Sequence, residues 1–238
     1  MSEHTIKVFD AELNELARKI GEMGGLAEKQ IGDAIGALGK HDIELARQIV
    51  AADAQIDHLQ REIEEKAVLT IARRQPMAVD LREIVGALRI ATGLERIGDY
   101  AKNIAKRVIA SGSDIGPAAD VRGLQQMADL VLTALRNVLD AYARRDVTKA
   151  MAVWHGDETI DAANNALFRQ LLTDMMADPR NITACTHLMF CAKNIERIGD
   201  HATNIAETVY YIEHGIPLEA ERPKHDATSL VNMAPQDK

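Results

Sequence analysis

The sequence predicts an all-α protein built as two tandem antiparallel three-helix bundles, related by an internal pseudo-two-fold duplication. Three observations carry this. Over 238 residues, aromatics make up only 3% and proline occurs 6 times; all-β domains lean on aromatic and β-branched residues. An eleven-residue stretch, Glu95 to Ala105, returns as Glu196 to Ala206 with nine positions identical at an offset of 101 residues, the mark of a duplicated unit. Finally, apolar residues recur at helical spacing in six long segments, with breaks at matching places in the two halves.

The first segment runs from about Val8 to Leu38, with Leu13, Leu16, Ile20, Met23, Ile31 and Ile35 on its stripe. Glycines at 21, 24, 25, 32 and 36 interrupt it. Each costs a helix about 1 kcal/mol against alanine, so they signal either close helix approach or a weak first helix. Asp42 suits the N-cap of a second helix, which carries Leu45, Ile49, Ile56, Leu59 and Ile63 to about Arg74. Pro76 stops it, because proline disfavours helix in the residue before it. A third helix spans about Asp80 to Ser111.

The second half repeats the plan. Helices are expected over about 118 to 144, from an Asp146 cap to about Met176, and from about Ile182 to Glu213. The expected organisation is a first bundle over 1–111, a linker over 112–117, a second bundle over 118–214 and a loose tail over 215–238.

Net charge is −8, which argues against nucleic acid, whose binding rests on basic patches. No apolar run is long enough to cross a membrane and no secretory leader is visible. Cys185 and Cys191 stand six residues apart on one helix, a rise of about 9 Å that is too long for a disulfide. They read as core thiols of a reducing compartment.

The repeat preserves polar groups at four-residue spacing: Glu95, Asp99 and Asn103, then Glu196, Asp200 and Asn204. Such residues share one helix face, and like charges there cost a few tenths of a kcal/mol. Each preceding helix carries a second acidic pair, Asp53 with Asp57 and Asp157 with Asp161, in register at an offset of 104. Gly98 and Gly199 beside the stripes leave room for a close approach. At 100° per residue, Glu95 to Asn103 lies nearly opposite the Leu94, Ile97 and Ile104 stripe, which puts the acids on an outer, groove-like face between helices.

An acidic face is ordinarily just solvated. Four pairs duplicated in register instead point to cations, because facing carboxylates repel unless a cation neutralises them. An all-oxygen set suits magnesium, manganese, calcium or ferric iron better than zinc. His58 and His201 each follow a motif aspartate but are turned about 100° away. Trp154 reads as a packing anchor. Arg73, Arg74 and Arg82 read as caps and surface charge, or as a contact for an anion or partner.

No Glu-x-x-His pair, phosphate-cradling glycine loop or paired nucleophile is present. The alternatives to a metal-binding regulator are a carboxylate-bridged metalloenzyme and a structural helical module without metal.

Several of these stretches resemble the PhoU family of phosphate-uptake regulators. The resemblance rests on Met23-Gly24-Gly25, the Asp-xxx-Asp pairs, Arg73-Arg74-Gln75-Pro76 followed by Asp80-Leu81-Arg82, and both Glu-Arg-Ile-Gly-Asp copies. It implies a non-enzymatic cytoplasmic protein, often a homodimer, peripheral to the membrane only through its partners. Those partners are a phosphate ABC transporter ATPase subunit and a phosphate-sensing histidine kinase, and the starvation response is repressed when phosphate is plentiful. It also implies metal ions, iron, manganese, magnesium or zinc, on Asp53, Asp57, Glu95, Asp99, Asp157, Asp161, Glu196 and Asp200, with Asn103 and Asn204 in a second tier.

Overall fold

The computed structural model describes residues 2–112 and 117–219. Seven α-helices and one 3-10 turn, with no strand among the described residues, follow in order. They are α1 Ser2–Lys40, α2 Ile43–Ala52, α3 Ala54–Arg74, α4 Val79–Ala110, α5 Ala118–Arg144, α6 Val147–Ala177, the turn Pro179–Asn181, and α7 Ile182–His214. The inner part of the expected linker, 113–116, and the tail beyond 219 lie outside the described residues. No described helix is long and apolar enough to cross a membrane.

The expected caps form. Asp42 and Asp146 accept the backbone N–H of Leu45 and Lys149, each at 2.9 Å. These bonds satisfy donors that the first helical turn leaves open. Gln75 takes a left-handed conformation and its N–H reaches the Ile71 carbonyl, which closes α3 just before Pro76. One difference from expectation is local. The second helix is broken at Asp53, where the N–H groups of Ile56 and Asp57 share the Asp53 carbonyl at 3.0 and 3.3 Å. This tightened turn leaves α2 and α3 acting as one arm of the bundle.

α1, α2 with α3, and α4 enclose the first core, and α5, α6 and α7 the second. Leu16, Ile20, Met23 and Ile31 of α1 meet Ile56 and Ile63 of α3 and Ile84, Ile90, Leu94, Ile97 and Ile104 of α4, all fully or nearly fully buried. Leu124, Val131 and Leu135 of α5, Ile160 and Leu171 of α6, and Leu188, Ile195 and Ile198 of α7 do the same for the second. Each such side chain contributes about 1.5–3 kcal/mol.

The bundles join through like elements, α4 on α7 and α1 on α5. Tyr100 and His201 occupy the same position in the two copies, and their rings lie 5.7 Å apart. Repeat-equivalent residues can touch only near the axis that relates the repeats. The pseudo-two-fold therefore passes through the duplicated stretch itself.

The duplicated glycines have duplicated neighbours. A Cβ at Gly98 would lie 2.9 Å from Ile56 Cδ1, and one at Gly199 would lie 3.0 Å from Ile160 Cδ1. The isoleucine inside each Asp-x-x-Ile-Asp segment thus packs onto the glycine of the following Glu-Arg-Ile-Gly-Asp. Of the five glycines in the first segment, only Gly24 meets a close neighbour, Leu139 of α5, and α1 is continuous through all of them. Gly25→Ala is accordingly expected to stabilise the chain by about 0.5–1 kcal/mol through helix propensity. Gly98→Val is expected to destabilise it by about 1–3 kcal/mol through overpacking. Urea unfolding of both variants checks this; a neutral Gly98→Val would mean that α3 does not press on α4 there.

Candidate functional site

The eight acids fall on two helix–helix seams. In the first, Asp53 stands at the junction of α2 and α3, and Asp57 follows one turn on; Glu95 and Asp99 come from α4. In the second, Asp157 and Asp161 of α6 accompany Glu196 and Asp200 of α7. The outer face expected from the helical wheel is not what forms. Asp53, Asp157, Asp161 and Glu196 are buried, and Asp57, Glu95, Asp99 and Asp200 are half-buried. A wheel drawn around one apolar stripe assumes one core. α4 packs against α1, α2, α3 and α7, and α7 against α4, α5 and α6, so each has more than one covered side.

Lys102 closes the first seam. Its Nζ donates to Asp53 Oδ2 and to Asp99 Oδ1, each at 2.5 Å, and so ties the α2–α3 junction to α4. Burial opposes the charge on this amine, but the two carboxylate bonds outweigh it and hold its pKa above that of an ordinary lysine. Arg96 sits on the rim, 3.4 Å from both Glu95 and Asp99. The Glu95 pKa is raised, first by burial and then by the Asp99 charge. Arg96 opposes the rise, and Asp57 and Asp53 add to it. Glu95 thus feels the charges of the other three acids of its seam.

The second seam is finished differently. At the position matching Lys102 stands Thr203, buried, with Oγ1 3.2 Å from Asp157 Oδ1 and 3.1 Å from the Gly199 carbonyl oxygen. Lys193 reaches Glu196 Oε2 at 2.9 Å from one turn earlier on α7. Buried Asn164 lies seven residues past Asp157 on α6.

Sequence reasoning extended the acidic stripes to Asn103 and Asn204 and passed over these side chains. A helix advances 100° per residue, so a step of eight drifts by 80° and a step of seven by only 20°. Lys102 and Thr203 are seven from Glu95 and Glu196 and stay on the seam. Asn103 is half-buried, and Asn204 is exposed. Asn204 lines a different cleft, of about 370 Å³, between α4 and α7 with Arg89, Thr92, His201 and Tyr211. The signal that would have found Lys102 and Thr203 was that spacing of seven.

His58 is exposed and 3.7 Å from Glu62, and the His201 ring faces Tyr100. Trp154 is buried and donates to Glu207 Oε1 at 3.0 Å, as expected of a packing anchor. Arg74 forks onto Glu12 at 2.8 and 3.0 Å, and Arg82 donates to the Ile212 carbonyl at 3.2 Å. Two of the three arginines therefore fasten helices; Arg73 is exposed. Cys185 and Cys191 are buried and outside any disulfide, and burial pushes the Cys191 thiol up to about 12.

The donor set suits a hard cation, since every candidate ligand atom is oxygen. In the first seam an ammonium already stands between the carboxylates, and the residues as placed do not fit an ion. In the second, Asp157, Asp161 and Glu196 are buried, Asp200 is half-buried, and the matching position is a hydroxyl. Among the described residues, no three His, Cys, Asp or Glu side chains are yet drawn together around one point.

The fold and its seams define a class: a duplicated three-helix-bundle protein with one carboxylate-lined seam per repeat. A profile described as the PhoU domain matches this chain twice, over 20–108 and 124–209. The chain is 57% identical over 229 residues to a phosphate-specific transport system accessory protein PhoU homolog of Rhizobium meliloti, covering 96% of each. It is 51% identical to the homolog of the same description in Caulobacter vibrioides, covering 96% of this chain and 100% of that one. The crystal structure of PhoU from Pseudomonas aeruginosa superposes with a TM-score of 0.82 at 39% identity, over 87% of this chain and 100% of the other. That of the phosphate transport system regulatory protein PhoU from Streptococcus pneumoniae does so at 0.82 and 30%, over 89% and 100%. The chain belongs to the PhoU family.

Proposed function

We propose that this chain is a non-enzymatic regulator of phosphate uptake that binds metal ions through carboxylates at a helix–helix seam. It acts in the cytoplasm as a homodimer, with 1–111 and 118–214 as its two working units. It docks on the ATPase subunit of a phosphate ABC transporter and on a phosphate-sensing histidine kinase, and it restrains uptake and the starvation response when phosphate is plentiful. The observation that carries this reading is family membership across nearly the whole chain, joined to the paired acids that each repeat brings to one seam.

Asp157, Asp161, Glu196 and Asp200 would hold an ion in the second seam. When bound, it would supply fixed positive charge between α6 and α7. The protein's own part is to offer hard oxygen donors from two helices that Ile160 and Gly199 hold close. Thr203 steadies Asp157.

Two measurements test the reading. Protein purified without chelator is expected to carry metal, and Asp161→Asn with Glu196→Gln is expected to lose at least ten-fold in affinity for Mn²⁺. Trp154, one turn before Asp157 and the only tryptophan, gives a fluorescence readout of that titration. Unchanged metal content in the double variant would overturn the metal assignment. A pull-down from phosphate-replete cells that recovers neither transporter ATPase nor kinase would overturn the adaptor role.

A further inference from the structure

The two repeats match at every acidic position, yet they differ at the residue that faces those acids. Lys102 lies on the seam of the first repeat, with one oxygen of Asp53 and one of Asp99 within 2.5 Å of its Nζ. These oxygens come from opposite sides of the seam. A cation that bridges the two sides has to stand where this ammonium stands. The Lys102 side chain is 20% exposed and that of Asp53 only 7%. Withdrawing the lysine would strand a buried carboxylate, a far worse outcome than never having made the pair. An incoming ion must therefore displace a tethered competitor whose local concentration does not fall on dilution.

The second repeat puts Thr203 at the same place. A hydroxyl brings no charge and presents an oxygen where the first repeat presents an ammonium.

We propose that Lys102 is a built-in cation that replaces a metal ion in the first seam, so that the two seams of this protein are functionally unequal. Metal binding is confined to the second seam, and the first is permanently closed by the chain itself. The division of labour rests on the metal-binding reading above. The claim about Lys102 is separable from it.

The test is a count of Mn²⁺ bound by the full chain after chelator stripping and dialysis, together with a Mn²⁺ titration followed by Trp154 fluorescence. Four proteins are compared: wild type, Lys102→Thr, Lys102→Arg and Thr203→Lys. Lys102→Thr is expected to bind about twice the manganese of wild type, with the Trp154 titration unmoved because the new ion lies in the other bundle. Lys102→Arg keeps the charge and is expected to stay at the wild-type count. Thr203→Lys is expected to lose the Trp154-reported site.

No gain in Lys102→Thr overturns the proposal, as does wild-type binding by Thr203→Lys. If Lys102→Thr does not fold by circular dichroism, Thr203→Lys decides alone. A wild type that binds no manganese beside a Lys102→Thr that does would overturn the metal reading of the second seam and sustain the role of Lys102. Absence of binding by both would overturn both.

Discussion

Lys102→Met is expected to lower the unfolding free energy of chelator-treated protein by about 3 kcal/mol, the range found when one partner of a buried ion pair is removed. The lysine bonds to two carboxylates on separate elements, and Asp53 is almost wholly enclosed. Without the ammonium, Asp53 and Asp99 are left with like charges nearby and little water. Two further measurements separate this cause from simple loss of side-chain volume. Asp53→Asn added to Lys102→Met is expected to recover much of the loss, because it removes the stranded charge. Saturating Mn²⁺ is expected to stabilise Lys102→Met more than wild type, because ligand that binds only the folded state adds stability. A Lys102→Met protein as stable as wild type in chelator would mean that the pair contributes nothing, as many exposed pairs do.

Asp120→Asn is expected to make the protein more stable at pH 8 and to leave it nearly unchanged near pH 4. Asp120 is 1% exposed in the first turn of α5. Burial, then the neighbouring Asp174 carboxylate, push its carboxyl from 3.8 up to about 6. The unfolded chain titrates near the ordinary value. Between these two values the folded protein holds a proton that the unfolded protein has released, so stability falls as pH rises through the window. Below it Asp120 is protonated in both states, and above it the loss is complete. A rise from 3.8 to about 6 corresponds to roughly 3 kcal/mol at most. Asparagine stays neutral and can donate to Asp174, so it avoids that loss. Giving up a negative charge at a helix N-terminus returns about 0.3–1 kcal/mol of the gain, which leaves about 2 kcal/mol. Urea unfolding of both proteins at pH 4 and pH 8 measures the difference. A gain of equal size at both pH values would assign the effect to packing instead of titration.

Both predictions turn on residues that the sequence left unremarked, and the reason is physical. Helix positions, the Asp42 and Asp146 caps and the break at Pro76 were legible because each depends on residues within one turn of chain. The duplication was legible because two copies of one stretch can be aligned without any structure. That the acids of each repeat share a seam followed from their four-residue spacing on consecutive antiparallel helices.

What the sequence could not show is how much of each helix is covered. Periodicity finds one apolar stripe. α4 carries a second face with small residues, among them Gly93 against Ile205 and Gly86 against Ile212 of α7, which reads in one dimension as ordinary helix filler. That second face joins the bundles and brings Tyr100 onto His201. The sequence by itself determined the helices, their duplication and the acidic residues they share, because these are local or internal comparisons. Only the tertiary structure decided that Lys102 and Thr203 are the residues facing those acids, because that depends on the angle at which a third element arrives.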